Sequence, residues 1–536
     1  MQRRHFLRRA SLAAAAGFVP HRLFGEAKTL PGRATPAIVG RCDELYAPDL
    51  HALVLRAVDA ARSAGASYAD AHITWTRTQS PGWTEGERRA IGVRALVNGY
   101  WGFFASTVWS PDEAARLARG AVAQATAHGR GRTRAAELGP RATIANGEWI
   151  MPVKYDPFDI PVAEKLDVMN AFTDYASSYQ VGIGTQADMA FLREQRISAT
   201  SDDASWSQTT YQTQAGFSVT YRDEYHAHLG AGAAGADGLG LSGRGWEMIS
   251  ESGLIDMIPQ LIADAEASRY RTVVDVGRYD MIFSADAMAT ILDRTLGAAT
   301  ELDRALGYEA NAGGTSFLDE PLQRLGTPAI ENPLITVTAN RSVPHGLATV
   351  KWDNEGIMPD DFTIIQNGVL VDYQTTREQA AWLAPYYQRI GKPVRSHGCA
   401  GAESAMMIPM QHAPNLALEP GALETSFEEL VASIDNGIAV LSLDMSMDQQ
   451  GLNGLAMGTM REIKKGKLGR YVDNGAIVFR APEFWKSVQA LGGKHTFQWS
   501  AASRSKGEPS QRTSHSVGAV PARIKQVSLI DPQRKA

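Results

Sequence analysis

The sequence predicts an α+β protein whose helices and strands are segregated along the chain. Three observations carry that expectation. Helical periodicity is confined to a few stretches, the first at residues 49–64. Asn98-Gly99 and Asn367-Gly368 each separate two apolar runs, and Asn-Gly suits a tight hairpin because both central residues need positive φ. After Pro333 β-propensity dominates, so the final third reads as a sheet-rich, closed or nearly closed barrel-like body.

The 536 residues leave room for about two to four domains. Apolar residues at 44% and charged residues at 21% exclude a disordered or fibrous chain. No apolar run approaches the roughly 18 residues of a membrane span; Ala10–Pro20 is too short and too rich in alanine. Residues 1–27 carry a net charge of +4, and the remainder carries −9. An acidic body without a basic patch argues against nucleic acid as a partner. Two cysteines, Cys42 and Cys399, are too few for a disulfide framework or a four-cysteine zinc site, and the sequence leaves their pairing open.

Residues 1–27 read as an export signal. Arg3-Arg4-His5-Phe6-Leu7-Arg8 precedes a weakly apolar run and a small-x-small site at Gly25-Glu26-Ala27. Paired arginines ahead of Phe-Leu resemble a twin-arginine leader, which implies a periplasmic or otherwise exported mature protein starting near Lys28. A basic N-terminal arm is the plainer alternative.

Residues 43–148 are expected to form an N-terminal layer domain. Asp49 caps a helix whose Leu50, Leu53, Ala57, Val58 and Ala61 share a face. Tyr68–Trp75 alternates, with Asp70, His72 and Thr74 expected on the polar side of a half-buried strand. Ile91–Val97 and Tyr100–Ala105 flank the first Asn-Gly turn. Ser110-Pro111-Asp112-Glu113 opens a second helix with a capping box. Residues 149–269 form a central domain: a helix at 163–179, strands over 181–219, a glycine-rich connection or lid at 230–245, and a helix at 246–268. Residues 270–536 form the C-terminal domain. Ser284 caps a long helix with Met288, Ile291, Leu292, Thr295, Ala299 and Leu302 on one stripe. Strands are expected at 334–338, 348–352, 363–365, 369–374, 437–443, 461–463 and 471–479.

Chemistry is sparse. There is no Gly-x-Ser-x-Gly elbow, no Walker loop and no His-Glu-x-x-His. His226-Ala227-His228 would put two imidazoles on one side of a strand, though such pairs more often face solvent. His397-Gly398-Cys399 offers nitrogen and sulfur donors, or simply packing. His515 is a weaker prospect. Asp353-Asn354-Glu355-Gly356 reads first as turn chemistry.

The order of segments resembles the TldD/TldE (PmbA) metallopeptidase family. The similar stretches are IGVRALVNGYWGFFAST at 91–107, the block from Gly277 to Phe317, DNEG at 353–356, QNGVLVDYQTTREQA at 366–380 and EIKKGKLG at 462–469. The resemblance implies that family's α+β fold, a β-rich C-terminal domain of the TldD/PmbA type, and a dimer of related chains enclosing a cavity that unfolded peptides enter. It also implies, for active members, one zinc held by His-Glu-x-x-x-His and a late Cys, with the Glu as base.

Aligned on Gly297 and Glu301-Leu302-Asp303, the first His position is Asp293, the base position Arg294, and the second His position Ala298. The late Cys position is Ala519. Alanine has no donor atom, and arginine neither binds a cation nor acts as a base at neutral pH. No catalytic residue, metal ligand or cofactor is therefore expected in this chain. Zinc would belong to a partner. Three functional expectations follow: a zinc-less, TldE-like subunit beside a zinc-bearing TldD-like paralogue or a copy of itself; an active enzyme with relocated ligands such as Asp293, His397 and Cys399; or a non-catalytic peptide-binding protein.

Overall fold

A computed structural model describes residues 47–131, 135–141, 145–179, 183–222, 227–232 and 240–533. Helix α1 (Ala47–Ser63) leads into strands β1 (Tyr68–Ser80), β2 (Thr84–Val97) and β3 (Tyr100–Ser106), followed by α2 (Pro111–His128). Asn98 and Gly99 have φ of 50° and 80°, the geometry that turn demands. The Ser110 hydroxyl accepts from Glu113 N, capping α2. Leu53, Val54, Ala57 and Val58 of α1 pack with Leu117, Ala118 and Ala121 of α2 over Ala69, Ala71 and Ile73 of β1.

The expected separation of residues 43–148 from 149–269 does not hold. Strand β4 (Asn146–Ile150) straddles that boundary. With β5 (Ile183–Thr200) and β6 (Ser205–Arg222) it continues one sheet in the order β3-β2-β1-β5-β6-β4, and β7 (Ala227–Gly232) and β8 (Gly240–Ser242) also pair with β6. The long β1–β5 pairing runs from Asp70↔Thr200 to Gln79↔Phe191, so both segments fold as one layer. Helix α3 (Val162–Tyr179) and α4 (Leu254–Ala267) cover the far end of this sheet through Phe172, Phe217, Ile258 and Ile262. The helix expected over 246–268 is broken before α4, where Gly253 takes φ 64°. The glycine-rich connection is partly strand, in β7 and β8; residues 233–239 lie outside the described residues, as do Cys42, His226 and the expected leader.

Strand β1 corrects a second expectation. Its polar side is buried: Asp70 is 0% exposed and His72 3%. That face lies on the C-terminal body. Thr74 Oγ1 accepts from Ala405 N at 3.0 Å, Arg94 Nη2 on β2 reaches Glu355 Oε1 at 3.2 Å, and Arg196 Nη1 on β5 reaches Asn354 Oδ1 at 2.6 Å.

In the C-terminal body, strands β9 (Arg271–Val273) and β10 (Gly277–Phe283) precede α5 (Ala285–Leu292). Next along the chain come β11 (Val337–Asn340), β12 (Phe362–Gln366), β13 (Val369–Leu370), β14 (Ala400–Gly401), β15 (Met410–Gln411) and β16 (Asn415–Leu418), of which β14 and β15 pair only with each other. The remaining strands are β17 (Asn436–Met447), β18 (Asn453–Lys464), β19 (Lys467–Asp473), β20 (Ala476–Arg480), β21 (Val488–Leu491), β22 (Gln498–Lys506), β23 (Gln511–Ala519) and β24 (Ala522–Ile530). Strands β10, β24, β20, β18 and β17 pair in a closed ring, because β17 bonds both β10 and β18. The barrel is thus real but includes only part of the body. A second sheet, ordered β13-β12-β11-β16-β23-β22, stands beside it.

Helix α5 packs against strands of both sheets. Met288, Ile291 and Leu292 are 0% exposed, and only Asp286 and Thr290 leave the helix a polar edge. Three expected strands fail. Of 369–374 only Val369–Leu370 is strand. Residues 348–352 are irregular because side chains take their backbone groups: Ala348 N donates to Asn415 Oδ1 and Trp352 N to Gln208 Oε1. Residues 471–479 split into β19 and β20 at Asn474, whose φ is 51°. Among the described residues, no helix is long and apolar enough to cross a membrane.

Candidate functional site

The long helix expected after Ser284 does not continue as an α-helix. At Asp293–Gly297 it widens into a π-turn, and Ala298 N donates to the Asp293 carbonyl, five residues back. That bond spans 293 and 298, the two positions where the family resemblance puts His ligands. The side chains at its ends are Asp293 and Ala298. Arg294, at the base position, turns away: its side chain is 43% exposed, and Nε stands 3.6 Å from Asp293 Oδ2.

Strands β22 and β23 close the other side. Side chains on a strand alternate, so Ser500, Ala502, Arg504 and Lys506 share one face of β22, opposite Gln511, His515 and Ala519 on β23. Ser500 Oγ donates to Asp286 Oδ1 at 2.8 Å, which turns this face toward the helix. Ala519 is fully buried among apolar neighbours.

Where a cation would be needed, the chain supplies its own. Arg504 Nη2 donates to Asp293 Oδ1 and to the Asp293 carbonyl, both at 2.5 Å, and Nη1 donates to Glu301 Oε1 at 2.7 Å. His515 Nε2 lies 2.6 Å from the same Asp293 oxygen. Lys506 Nζ reaches Asp303 Oδ2 at 2.8 Å, Gln411 Oε1 at 2.6 Å and Glu301 Oε2 at 3.3 Å. Gln411 Nε2 donates to Gln374 Oε1, and Gln374 Nε2 donates to the Gly297 carbonyl at 2.7 Å, pinning the end of the π-turn.

Burial alone would raise the Asp293 carboxyl; Arg504 and His515 outweigh it and hold the group well below the usual carboxylate range. Glu301 is likewise desolvated, and Lys506 and Arg504 reverse the effect. Asp303 shifts upward because burial prevails.

The donor set does not fit zinc. A zinc site needs about three protein donors and an open position. Of the three positions where the resemblance puts ligands, two are alanine, and the third is a carboxylate already bonded to a guanidinium and an imidazole. Among the described residues, no three His, Cys, Asp or Glu side chains converge for a metal.

The other sequence prospects occupy separate networks. His397 Nδ1 is 3.0 Å from Asp360 Oδ1, and its Nε2 is 3.1 Å from Asp372 Oδ2. Burial opposes the charge on this ring, but Asp372 and Asp360 prevail and raise its pKa to about 9. Its ring stacks on Phe362 at 3.8 Å. Cys399 is buried and free, with burial pushing the thiol up to about 12. Such a thiol is no nucleophile. Asp293 and His397 thus have separate partners.

The 353–356 segment is a turn, and also a joint. Asp353 Oδ1 accepts from Glu355 N and Ile357 N, and Oδ2 from Ala400 N. Burial and Glu355 raise Asp353 to about 7.

Comparison with known proteins agrees with this architecture. The PmbA/TldA metallopeptidase C-terminal domain matches residues 276–530, and domain 1 of the same family matches 84–125. A metalloprotease of Methanothermobacter thermautotrophicus is 22% identical over 379 residues, covering 69% of this chain and 75% of its own. One from Methanocaldococcus jannaschii is 23% identical over 367 residues, covering 66% and 72%. TldE of Thermococcus kodakarensis superposes with a TM-score of 0.65 at 11% identity, over 89% of this chain and 99% of that one. A Thermotoga maritima chain described as a modulator of DNA gyrase gives 0.67 at 14% identity, over 90% and 100%. With the fold and both domain matches in agreement, the chain belongs to the PmbA/TldD metallopeptidase family.

Proposed function

We propose that this chain is the zinc-less, TldE-like subunit of a peptide-cleaving pair, exported through the twin-arginine route and partnered by a zinc-bearing TldD-like paralogue. The observation that carries the reading is the Asp293–Arg504–Glu301 network. At the metal position this chain holds a guanidinium, with Arg294 where a base would stand and alanine at 298 and 519. A subunit of this kind acts by shaping the cavity its partner's zinc serves, and by holding unfolded peptide there.

Co-purification of the mature protein from its native source, followed by zinc quantification of each chain, tests this. The expected result is a stable complex with zinc confined to the partner and peptide hydrolysis only by the pair. Stoichiometric zinc in this chain, with cleavage by this chain alone, would overturn the reading in favour of relocated ligands. Tight binding of unfolded peptide without any partner or cleavage would replace it with a peptide-binding role.

A further inference from the structure

We propose that Arg244 grips a carboxylate of the peptide this chain holds, in a cavity walled by His345 at the seam between the first sheet and the C-terminal body. The proposal rests on the reading of the chain as a peptide-holding subunit and deepens it: it names the chemical group that is gripped and the side chain that grips it.

The cavity measures about 350 Å³, and its lining includes Lys154, Arg244, Glu247, Glu251 and His345. Most of the charge there is already spent. Lys154 pairs with Glu251. Glu247 accepts from Gly245 N at 2.8 Å and from Tyr155 N at 3.1 Å. The remaining cation is Arg244. It is half-buried, and its guanidinium has no hydrogen bond or ion pair among the described residues. The backbone around it, by contrast, is pinned on both sides. Gly243 N donates to the His345 carbonyl at 2.9 Å, and Trp246 N donates to the Tyr155 carbonyl at 2.9 Å. A Cβ at Gly243 would stand 2.9 Å from the His345 oxygen, and one at Gly245 would stand 2.1 Å from the Tyr155 oxygen. Glycine on each side therefore permits the close approach that fixes Arg244. The end of the glycine-rich connection thus holds one arginine in place and leaves its charge unused.

His345 forms the facing wall. Burial, and then the Arg244 charge, lower its pKa, so the ring is neutral at pH 7. Its Nδ1 is buried without a hydrogen-bond partner, and such atoms ordinarily meet a water or a ligand. One unspent guanidinium beside a neutral ring suits a single carboxylate, which accepts two parallel bonds from an arginine fork. Glu247 and Glu251 on the same lining disfavour a dianion such as phosphate. The cavity also lies near the strands that carry the Asp293 network. Strand β8 packs against β22, and Leu347 N, two residues beyond His345, donates to Ser516 Oγ beside His515. A peptide held at that face can set its C-terminal carboxylate, or that of an Asp or Glu side chain, on Arg244.

Binding of a fluorescein-labelled unfolded peptide with one internal Glu and a free C-terminus tests this. The mature protein is used as it purifies, with any partner it carries, and anisotropy is read in the first phase after mixing, ahead of any cleavage. Two neutral probes accompany the parent peptide: its C-terminal amide, and a form with Gln in place of Glu. One of the two is expected to bind about tenfold more weakly than the parent, and which one it is assigns the carboxylate. Arg244→Gln should weaken the parent peptide by about the same factor and abolish that difference, while Arg244→Lys should recover part of the affinity. The unfolding temperature of Arg244→Gln should match the wild type, since Arg244 has no bond within the described fold to lose. An Arg244→Gln protein that binds the parent peptide as tightly as the wild type would overturn the proposal. So would a wild type that binds both neutral probes as tightly as the parent. Peptide held tightly without any dependence on Arg244 overturns this proposal alone; zinc in this chain with unaided cleavage overturns the subunit reading alone; absence of peptide binding overturns both the peptide-holding role and this subsite.

Discussion

Arg504 Nη2 lies 2.5 Å from both the carboxylate and the main-chain carbonyl of Asp293, so one guanidinium ties β22 to the π-turn of the central helix. Both residues are buried, and neither charge can reach bulk water if the other is lost. Removing one partner of a buried pair costs about 3–5 kcal/mol, mostly from stranding the remaining charge. Asp293→Ala is therefore expected to lower the urea midpoint by that order. Asp293→Ala combined with Arg504→Met should recover much of the loss, which a double-mutant cycle measures directly.

Acid should weaken the protein through the same carboxylates and through Asp70. Burial alone would raise Asp70, but Arg94 and His72 bring it down to about 2. Asp293 and Glu301 are lowered too. A carboxylate with a depressed folded pKa binds fewer protons folded than unfolded. Its contribution is present above the unfolded value, near 4, and is lost as pH falls through the folded value. Urea unfolding between pH 5 and pH 2 should show stability dropping steeply, with about 2–3 kcal/mol of that slope removed by Asp70→Asn. An Asp70→Asn profile parallel to the wild type would contradict the assignment.

Much of the scaffold is legible in the sequence, because it depends on local chemistry. Ser110, Pro111 and the two Asn-Gly turns act within a few residues, and all take their expected conformations. Asp293, Arg294, Ala298 and Ala519 are reached only through the family resemblance, and Arg504, Lys506, Glu301 and Gln374 are not reached as site residues at all. Trp499-Ser500-Ala501-Ala502-Ser503-Arg504 has little β-propensity; it is held as strand by pairing with β23, and that pairing brings Arg504 to Asp293 across 211 positions. The parity of Ser500, Arg504 and Lys506, with His515 facing them, was the available signal. Asp70 and His72 mislead for a related reason: alternation shows which residues share a face, but not that a second domain covers the polar one.

That covering brings the backbones very close at Gly92. A Cβ built there would stand 2.1 Å from the Ala405 carbonyl oxygen, well inside contact distance. Gly92→Ala should therefore force the first sheet off the C-terminal body, at a cost of about 1–3 kcal/mol. The expected readout is a lower unfolding temperature with faster proteolysis between the two parts. Gly86→Ala, where the nearest atom is 3.6 Å away, is the control and should leave both unchanged.

Alkali should act through His397. Burial disfavours its charged form, but Asp372 and Asp360 raise its pKa to about 9. A group raised on folding binds more protons folded than unfolded. Its contribution is complete below the unfolded value, near 6.5, and disappears as pH rises through the folded one. Stability should therefore fall between about pH 6.5 and pH 9, by at most about 3 kcal/mol from this residue. His397→Gln should flatten that part of the profile while lowering stability at pH 6. The loop from Arg395 to Cys399 should lose amide protection over the same interval, because His397 ties it to both Asp360 and Asp372, leaving only the Arg395–Asp360 pair when the ring is neutral. A wild-type profile already flat from pH 6.5 to pH 9 would mean that the ring is neutral between its two carboxylates.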